Sequence, residues 1–66
     1  MEPELYDMRV SETCWVVGEL RGGRSVVLGH YKGERDAKEA RDLFERDPEA
    51  LRDARLRQEH GLIDYR

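Results

Sequence analysis

The sequence predicts an α+β fold in which a three-stranded antiparallel β-meander is followed by two α-helices (βββαα). Three observations support this prediction. Residues 5–10 alternate between apolar and polar, the turn sequence RGGR separates two apolar runs, and beyond residue 33 the apolar residues recur at helical spacing. The 66 residues are few enough for one small domain, residues 1–66. We expect the helices to pack mainly on one face of the sheet.

The strands are predicted at about residues 5–10, 13–20 and 25–31. In the first strand, Tyr6 and Met8 point to one side and Asp7 and Arg9 to the other. Gly22 and Gly23 lie between the second and third strands, and glycine accepts the positive φ of a tight hairpin turn. The three strands therefore form consecutive antiparallel pairs.

The helices are predicted at about residues 34–46 and 48–60. Asp47 and Pro48 end the first helix and start the second, because Asp is a good N-cap and Pro suits the first helical position. Gly61 fits the position after the second helix. The apolar tail, residues 62–66, is expected to dock on the domain, and whether it adds a strand is left open. Oppositely charged pairs at i,i+4 indicate solvated helix faces: Glu34–Lys38, Arg35–Glu39, Arg41–Glu45, Asp42–Arg46, Asp53–Arg57 and Arg55–Glu59.

The charge pattern argues against several functional classes. Charged residues make up 41% of the chain, but 12 basic and 15 acidic residues leave a net charge of −3 and no basic patch. No apolar run approaches the length of a membrane span. The first residues, MEPELYD, lack the pattern of a signal peptide. We therefore expect a cytoplasmic protein that does not bind membranes.

Neither a cofactor nor a metal site is predicted. Cys14, His30 and His60 are the only cysteine and histidine residues, which is too few for a structural zinc site. The single Arg21-Gly22-Gly23 triplet lies between two apolar runs, where it is typical of a hairpin turn rather than of an RNA-binding repeat or a phosphate loop.

The hairpin turn predicts a register for the second and third strands. Leu20 opposes Ser25, Gly18 opposes Val27 and Val17 opposes Leu28. Continuing the count pairs Trp15 with His30 and Cys14 with Tyr31. This register places Cys14 and His30 on opposite faces, so they are not expected to form a nucleophile and base. With no other catalytic constellation in the sequence, we expect that the protein is not an enzyme.

The same register leaves two apolar faces for one layer of helices. Ala37 and Ala40 are small enough to approach a sheet closely, and Gly18 and Gly29 share the Cys14 face, where glycine favours close backbone approach. We therefore expect the helices on the Cys14 face. An exposed partner-binding patch would remain on the other face, formed by Trp15, Val17, Val26, Leu28 and His30. In the alternative arrangement, the second helix covers these residues and leaves no patch.

The stretch VVLGHYKGERDAKEA resembles the strand-to-helix joint of SPOR-type and other small ββα domains, with Gly29, Tyr31 and Ala37 at matching positions. The resemblance covers about fifteen residues. The SPOR fold contains a second strand–helix repeat that this sequence does not show. No ligand-binding residue is carried over.

The leading functional hypothesis is a small non-enzymatic protein-binding module centred on Trp15. Its apolar sheet face would form a homodimer or seat a larger protein, as do compact inhibitors and accessory proteins that phages and mobile elements direct at host protein complexes. The alternative is a nucleic-acid-binding sheet that stacks bases on Trp15 and Tyr31 and uses the scattered arginines.

Overall fold

The chain folds into a four-stranded sheet with two helices. The computed structural model describes residues 3–62 and 64–65. The elements are β1 (Glu4–Ser11), β2 (Cys14–Arg21), β3 (Arg24–Tyr31), α1 (Glu34–Arg46), α2 (Pro48–Glu59) and β4 (Asp64–Tyr65). Three antiparallel strands followed by two helices confirm the predicted fold class. The sheet has the order β1-β2-β3-β4, and β4 runs parallel to β3. Two residues are too few to produce a strand period, so the sequence pattern could not establish β4.

The turns and helix ends follow local sequence chemistry. Gly22 and Gly23 have φ values of 53° and 81°, which suit a two-residue type I′ hairpin turn. Asp47 caps α2, because its side chain accepts hydrogen bonds from the backbone N–H groups of Glu49 (3.1 Å) and Ala50 (3.4 Å). Gly61 has a φ of 73° and ends α2 in the predicted manner.

A β-bulge in β3 changes the register that the turn had predicted. Near the turn, Leu20 opposes Ser25 and Gly18 opposes Val27, as expected. Leu28 has no opposite residue in β2 and is therefore the extra residue of the bulge. Beyond it, the pairs are Val17–Gly29, Val16–His30 and Trp15–Tyr31. The predicted pairs Val17–Leu28, Trp15–His30 and Cys14–Tyr31 are therefore wrong, because a shift of one residue exchanges the faces of all later side chains in β3.

The helices pack on the face that carries Val17, not on the Cys14 face. Val17 is fully buried and Leu28 is 3% exposed. Both belong to one apolar core together with Tyr31, Ala37, Phe44, Leu51 and Ala54. We call this the covered face; alternation along the strands adds Leu5, Asp7, Trp15, Glu19 and Val26 to it. The opposite, open face carries Glu4, Tyr6, Met8, Cys14, Val16, Gly18, Leu20, Ser25, Val27 and His30.

Two glycines explain why the predicted placement of the helices was wrong. Gly18 lies on the open face, where a Cβ would overlap the ring of Tyr6. Gly29 lies on the covered face, where a Cβ would come within 2.8 Å of the Tyr31 hydroxyl. Each glycine therefore makes room for a tyrosine ring, whereas the prediction had assigned both to a helix on the Cys14 face.

The helix surfaces show most of the expected ion pairs. The i,i+4 pairs Glu34–Lys38, Arg35–Glu39, Arg41–Glu45 and Asp53–Arg57 have nitrogen-to-oxygen distances of 3.2–3.8 Å. Arg55 was expected to pair with Glu59, but it binds Glu19 of β2 instead. A buried carboxylate is a stronger partner than an exposed one, because water screens the exposed pair.

Candidate functional site on the open face of the sheet

The predicted partner-binding patch is not an exposed surface. Val17 and Leu28 lie in the core beneath the helices, and Trp15 is half-buried against that core. Val26 is half-buried on the same covered face. The expectation that these four residues form an open apolar patch is therefore wrong. Trp15 instead packs against the core, on the face that the helices cover.

His30 leaves the predicted patch because the bulge moves it to the open face. Its Nδ1 lies 3.7 Å from the Sγ of Cys14, so the expected separation of these two side chains is also wrong. His30 opposes Val16, and Cys14 is its diagonal neighbour on the same face, within reach of a long side chain. The contact brings a thiol and an imidazole together at the distance of a weak sulfur hydrogen bond, and both residues are half-buried.

The two central rows of the open face are made of apolar, aromatic and small residues together with His30. One row is Tyr6–Gly18–Val27 and the next is Met8–Val16–His30. Neither row contains Asp, Glu, Lys or Arg, although these types make up 41% of the chain. Met8 is 49% exposed and Leu20, in the adjoining row, is 46% exposed. The alternation of Tyr6 and Met8 with Asp7 and Arg9 in the sequence grouped the first two on one side of β1, but it did not indicate that this side stays open.

Part of this apolar surface is buried without any helix above it. Val16 is 3% exposed, yet it lies on the open face between Met8 and His30. Tyr6 crosses Gly18, and its hydroxyl forms a hydrogen bond with the Ser25 side chain. Long side chains from β1 and β3 thus cover the middle of β2 and give the open face a defined shape.

The covered face holds most of the charged residues of β1, β2 and β3. Glu19 is 3% exposed and accepts hydrogen bonds from Arg55 Nε (2.9 Å) and Arg21 Nε (2.8 Å). The hydrogen bond from Arg55 lowers the pKa of Glu19; burial opposes this shift and Arg21 adds to it. Glu19 raises the pKa of Arg55 in return. This triad joins β2 to α2, and its signal in the sequence was a lone glutamate in an apolar strand.

A second strand-to-helix ion pair joins β1 to α1. Arg41 NH1 lies 3.0 Å from Asp7 Oδ2, and the Asp7 side chain is 10% exposed. The two ion pairs, Asp7–Arg41 and Glu19–Arg55, involve two different strands and two different helices. They attach each helix to the sheet in addition to the apolar contacts of the core.

A groove of about 590 Å³ lies between the two helices. Its apolar lining comes from Ala40, Leu43, Phe44, Ala50 and Ala54, with Leu28 and Tyr31 of β3. Charged residues of both signs also line it: Asp36, Glu39, Arg46, Asp53 and Arg57. Apolar residues and charged residues of both signs thus line the groove together.

The structure does not provide the base-stacking platform that the nucleic-acid alternative requires. Tyr31 is buried in the core under the helices, and Trp15 is half-buried on the same covered face. Stacking needs the face of an aromatic ring in solvent. Tyr31 does not offer one.

Comparisons with known proteins give no match from protein-family models, from curated proteins or from solved structures. Within residues 3–62 and 64–65, no helix is long and apolar enough to cross a membrane. The same residues contain no group of three or more His, Cys, Asp or Glu side chains placed to hold a metal ion. Functional inference therefore depends on the surface of the chain itself.

Proposed function

We propose that this chain is a small non-enzymatic protein-binding module that seats the surface of a larger protein on the open face of its sheet. One observation carries the proposal. In a chain with 41% charged residues, the two central rows of this face contain no Asp, Glu, Lys or Arg, and Met8 in one of these rows is 49% exposed.

Physical chemistry favours a protein as the occupant. The fully buried core of a protein interface is depleted of charged residues and enriched in aromatic residues and methionine. Tyr6 and Met8 belong to these types, and Asp7 and Glu19 of the neighbouring rows are turned to the covered face. A nucleic acid would instead require basic side chains around the apolar centre.

The shape of the surface supports the same occupant. Three strands present a broad sheet face rather than an enclosed cavity, which suits another protein surface better than a small molecule. Tyr6 and Ser25 are joined by a hydrogen bond, so part of the surface shape is fixed before binding. A pre-organised surface loses less conformational entropy on association.

Leu20→Lys and Leu56→Lys form a matched test of this proposal. Both leucines are 46% exposed, but Leu20 lies on the open face and Leu56 on α2. The tagged chain, expressed in its native cells, is expected to capture a protein partner. Leu20→Lys should abolish this capture, because it places an ammonium group at the edge of the apolar surface. Leu56→Lys should retain it.

Circular dichroism of both variants establishes that they are folded. Equal capture by the wild-type chain and Leu20→Lys, confirmed with the double variant Met8→Lys/Leu20→Lys, would reject the open face as the binding surface. Loss of capture in Leu56→Lys alone would show instead that the partner binds to the helices.

A further inference from the structure

β1 is an edge strand with an unpaired side. It contains eight residues, Glu4–Ser11, and in the order β1-β2-β3-β4 it has one neighbour, β2. No other strand among the described residues lies along its outer edge. Every second residue of an edge strand directs its backbone N–H and C=O away from the sheet, and these groups can pair with another strand.

We propose that β1 pairs with β1 of a second copy of this chain, in antiparallel orientation, with the two-fold axis passing through Met8. This inference goes beyond the proposed function, because it concerns the edge of the sheet and not its open face. The paired sheets would have eight strands, and the two open faces would lie side by side on the same surface.

Symmetry restricts the possible registers of such a pair to a few. A two-fold axis perpendicular to the sheet makes the strands antiparallel and places one residue of β1 opposite its own copy. If the axis lies at Asp7, two carboxylates oppose each other. If it lies at Arg9, two guanidinium groups oppose each other. A centre at Tyr6 opposes Leu5 to Asp7 and Glu4 to Met8, which mismatches apolar with charged side chains.

The centre at Met8 is complementary in each of its inner rows. Met8 faces the Met8 of the other copy, and Asp7 faces Arg9 on both sides of the axis. Tyr6 faces Val10 in the next row. Opposite charges and apolar pairs directly across a strand pair are stabilising. β1 is thus self-complementary in this register.

Asp7 provides a second and independent observation. Its side chain is nine-tenths buried, yet its Oδ2 receives no hydrogen bond from the described residues. Arg41 lies 3.0 Å from this oxygen without hydrogen-bond geometry. Arg41 offsets the charge of Asp7 but leaves this oxygen able to accept a hydrogen bond. In the proposed register, Arg9 of the second copy supplies guanidinium donors next to this carboxylate.

The bulge in β1 sets the extent and the strength of the pairing. The register of β1 against β2 shifts between Arg9 and Ser11. The regular part of the new strand pair is therefore short and centred on Asp7–Arg9. A contact of this size is smaller than the interfaces of permanent dimers. We expect a monomer–dimer equilibrium that depends on protein concentration.

Cross-linking at the axis tests the register. Directly opposed residues in an antiparallel pair have Cα atoms about 4.5–5.5 Å apart, which is within the range that a disulfide spans. Met8→Cys in a Cys14→Ser background should form a disulfide-linked dimer when diamide takes up the two electrons and two protons of the paired thiols. Leu20→Cys in the same background is the control, because Leu20 is comparably exposed but lies one strand away from the edge.

Charge reversal tests the rows next to the axis. Arg9→Asp should weaken dimerisation at least tenfold in sedimentation equilibrium, because it opposes Asp7 to a second carboxylate. Arg24→Asp makes the same change of net charge at the far end of the hairpin and should leave dimerisation unchanged. Both side chains are exposed, so both variants should fold, which circular dichroism checks.

Rapid cross-linking of Met8→Cys, none of Leu20→Cys, and selective weakening by Arg9→Asp would support the edge pair. Equal or faster cross-linking of Leu20→Cys would overturn it, because the copies would then meet through the open face or by collision. A wild-type chain that stays monomeric at millimolar concentration would also overturn it. The proposed partner surface would still stand in that case, since the capture experiment tests it separately.

Discussion

The two faces of the sheet differ in a way that reverses the usual rule for charge and burial. The covered face contains Asp7 and Glu19, which are buried beneath the helices. The open face has no acidic or basic residue in its central rows, yet Met8 and Leu20 there are about half-exposed. The charges of the covered face are matched by Arg41 and Arg55 of the helices. No helix among the described residues packs on the open face.

This contrast shows how a small domain can separate stability from recognition. At this size the apolar core is limited, so paired charges between sheet and helices supplement it. The apolar side chains on the open face do not contact the core cluster, and they remain available for association. Variants that affect one face should therefore leave the other largely unaffected.

The largest expected difference concerns two leucines. Leu28→Ala should lower the free energy of unfolding by about 3 kcal/mol, because it leaves a cavity under the helices. Leu20→Ala should lower it by less than about 1 kcal/mol, since the side chain is already 46% exposed. Urea unfolding of both variants measures the difference. Similar losses for the two variants would contradict the assignment of the faces.

A smaller effect is expected from the buried ion pair of Glu19. Arg55→Met should cost about 2 kcal/mol, because Glu19 stays buried with Arg21 as its remaining partner. Arg57→Met removes an exposed pair with Asp53 and should cost less than about 0.5 kcal/mol. Urea unfolding at pH 7 compares the two variants. Equal costs would mean that the Glu19 pair contributes no more than a surface pair.

The same ion pair predicts how stability depends on pH. The pKa of Glu19 is held below its ordinary value of 4.5, so the folded chain binds this proton less readily than the unfolded chain does. Its contribution is fully present above pH 4.5 and is lost as the pH falls through the lowered pKa of the folded state. Stability measured against pH should therefore fall less steeply in Glu19→Gln than in the wild-type chain below pH 4.5. An identical pH profile would reject the ionic role of Glu19.

The smallest difference is expected between the two glycines. Gly29→Ala should cost about 2 kcal/mol, because Tyr31 is buried under the helices and cannot move away from the added methyl group. Gly18→Ala should cost about 1 kcal/mol, because the half-buried Tyr6 ring can move toward solvent. Thermal unfolding ranks the two variants. The reverse order would show that the open face is the more tightly packed one.

Local chemistry made most of the elements predictable. The glycine pair of the hairpin turn, the cap at Asp47 and the glycine after α2 act within a few residues, so their effects are visible in the sequence. The helix bounds Glu34–Arg46 and Pro48–Glu59 accordingly lie within one residue of the predicted ones. The alternation in β1 grouped Tyr6 with Met8, but it did not indicate that their side of the strand remains open.

The bulge at Leu28 had no such local signal. A single extra residue in β3 exchanged the faces of His30 and Tyr31 and so removed His30 from the predicted partner-binding patch. It brought His30 to Cys14 and placed Tyr31 on the face that the helices cover. Whether an extra residue is accommodated depends on the packing of Leu28 against the helices, which is a contact between distant parts of the chain.

The sequence by itself determined the order of the elements, their ends and the presence of more apolar strand surface than one layer of helices covers. Only the tertiary structure decided which face the helices cover. The deciding interactions are long-range: Leu28 in the core, Tyr31 over Gly29, and Arg55 on Glu19. As a result, the exposed apolar surface is the one around Met8, and Trp15 belongs to the side that holds the protein together.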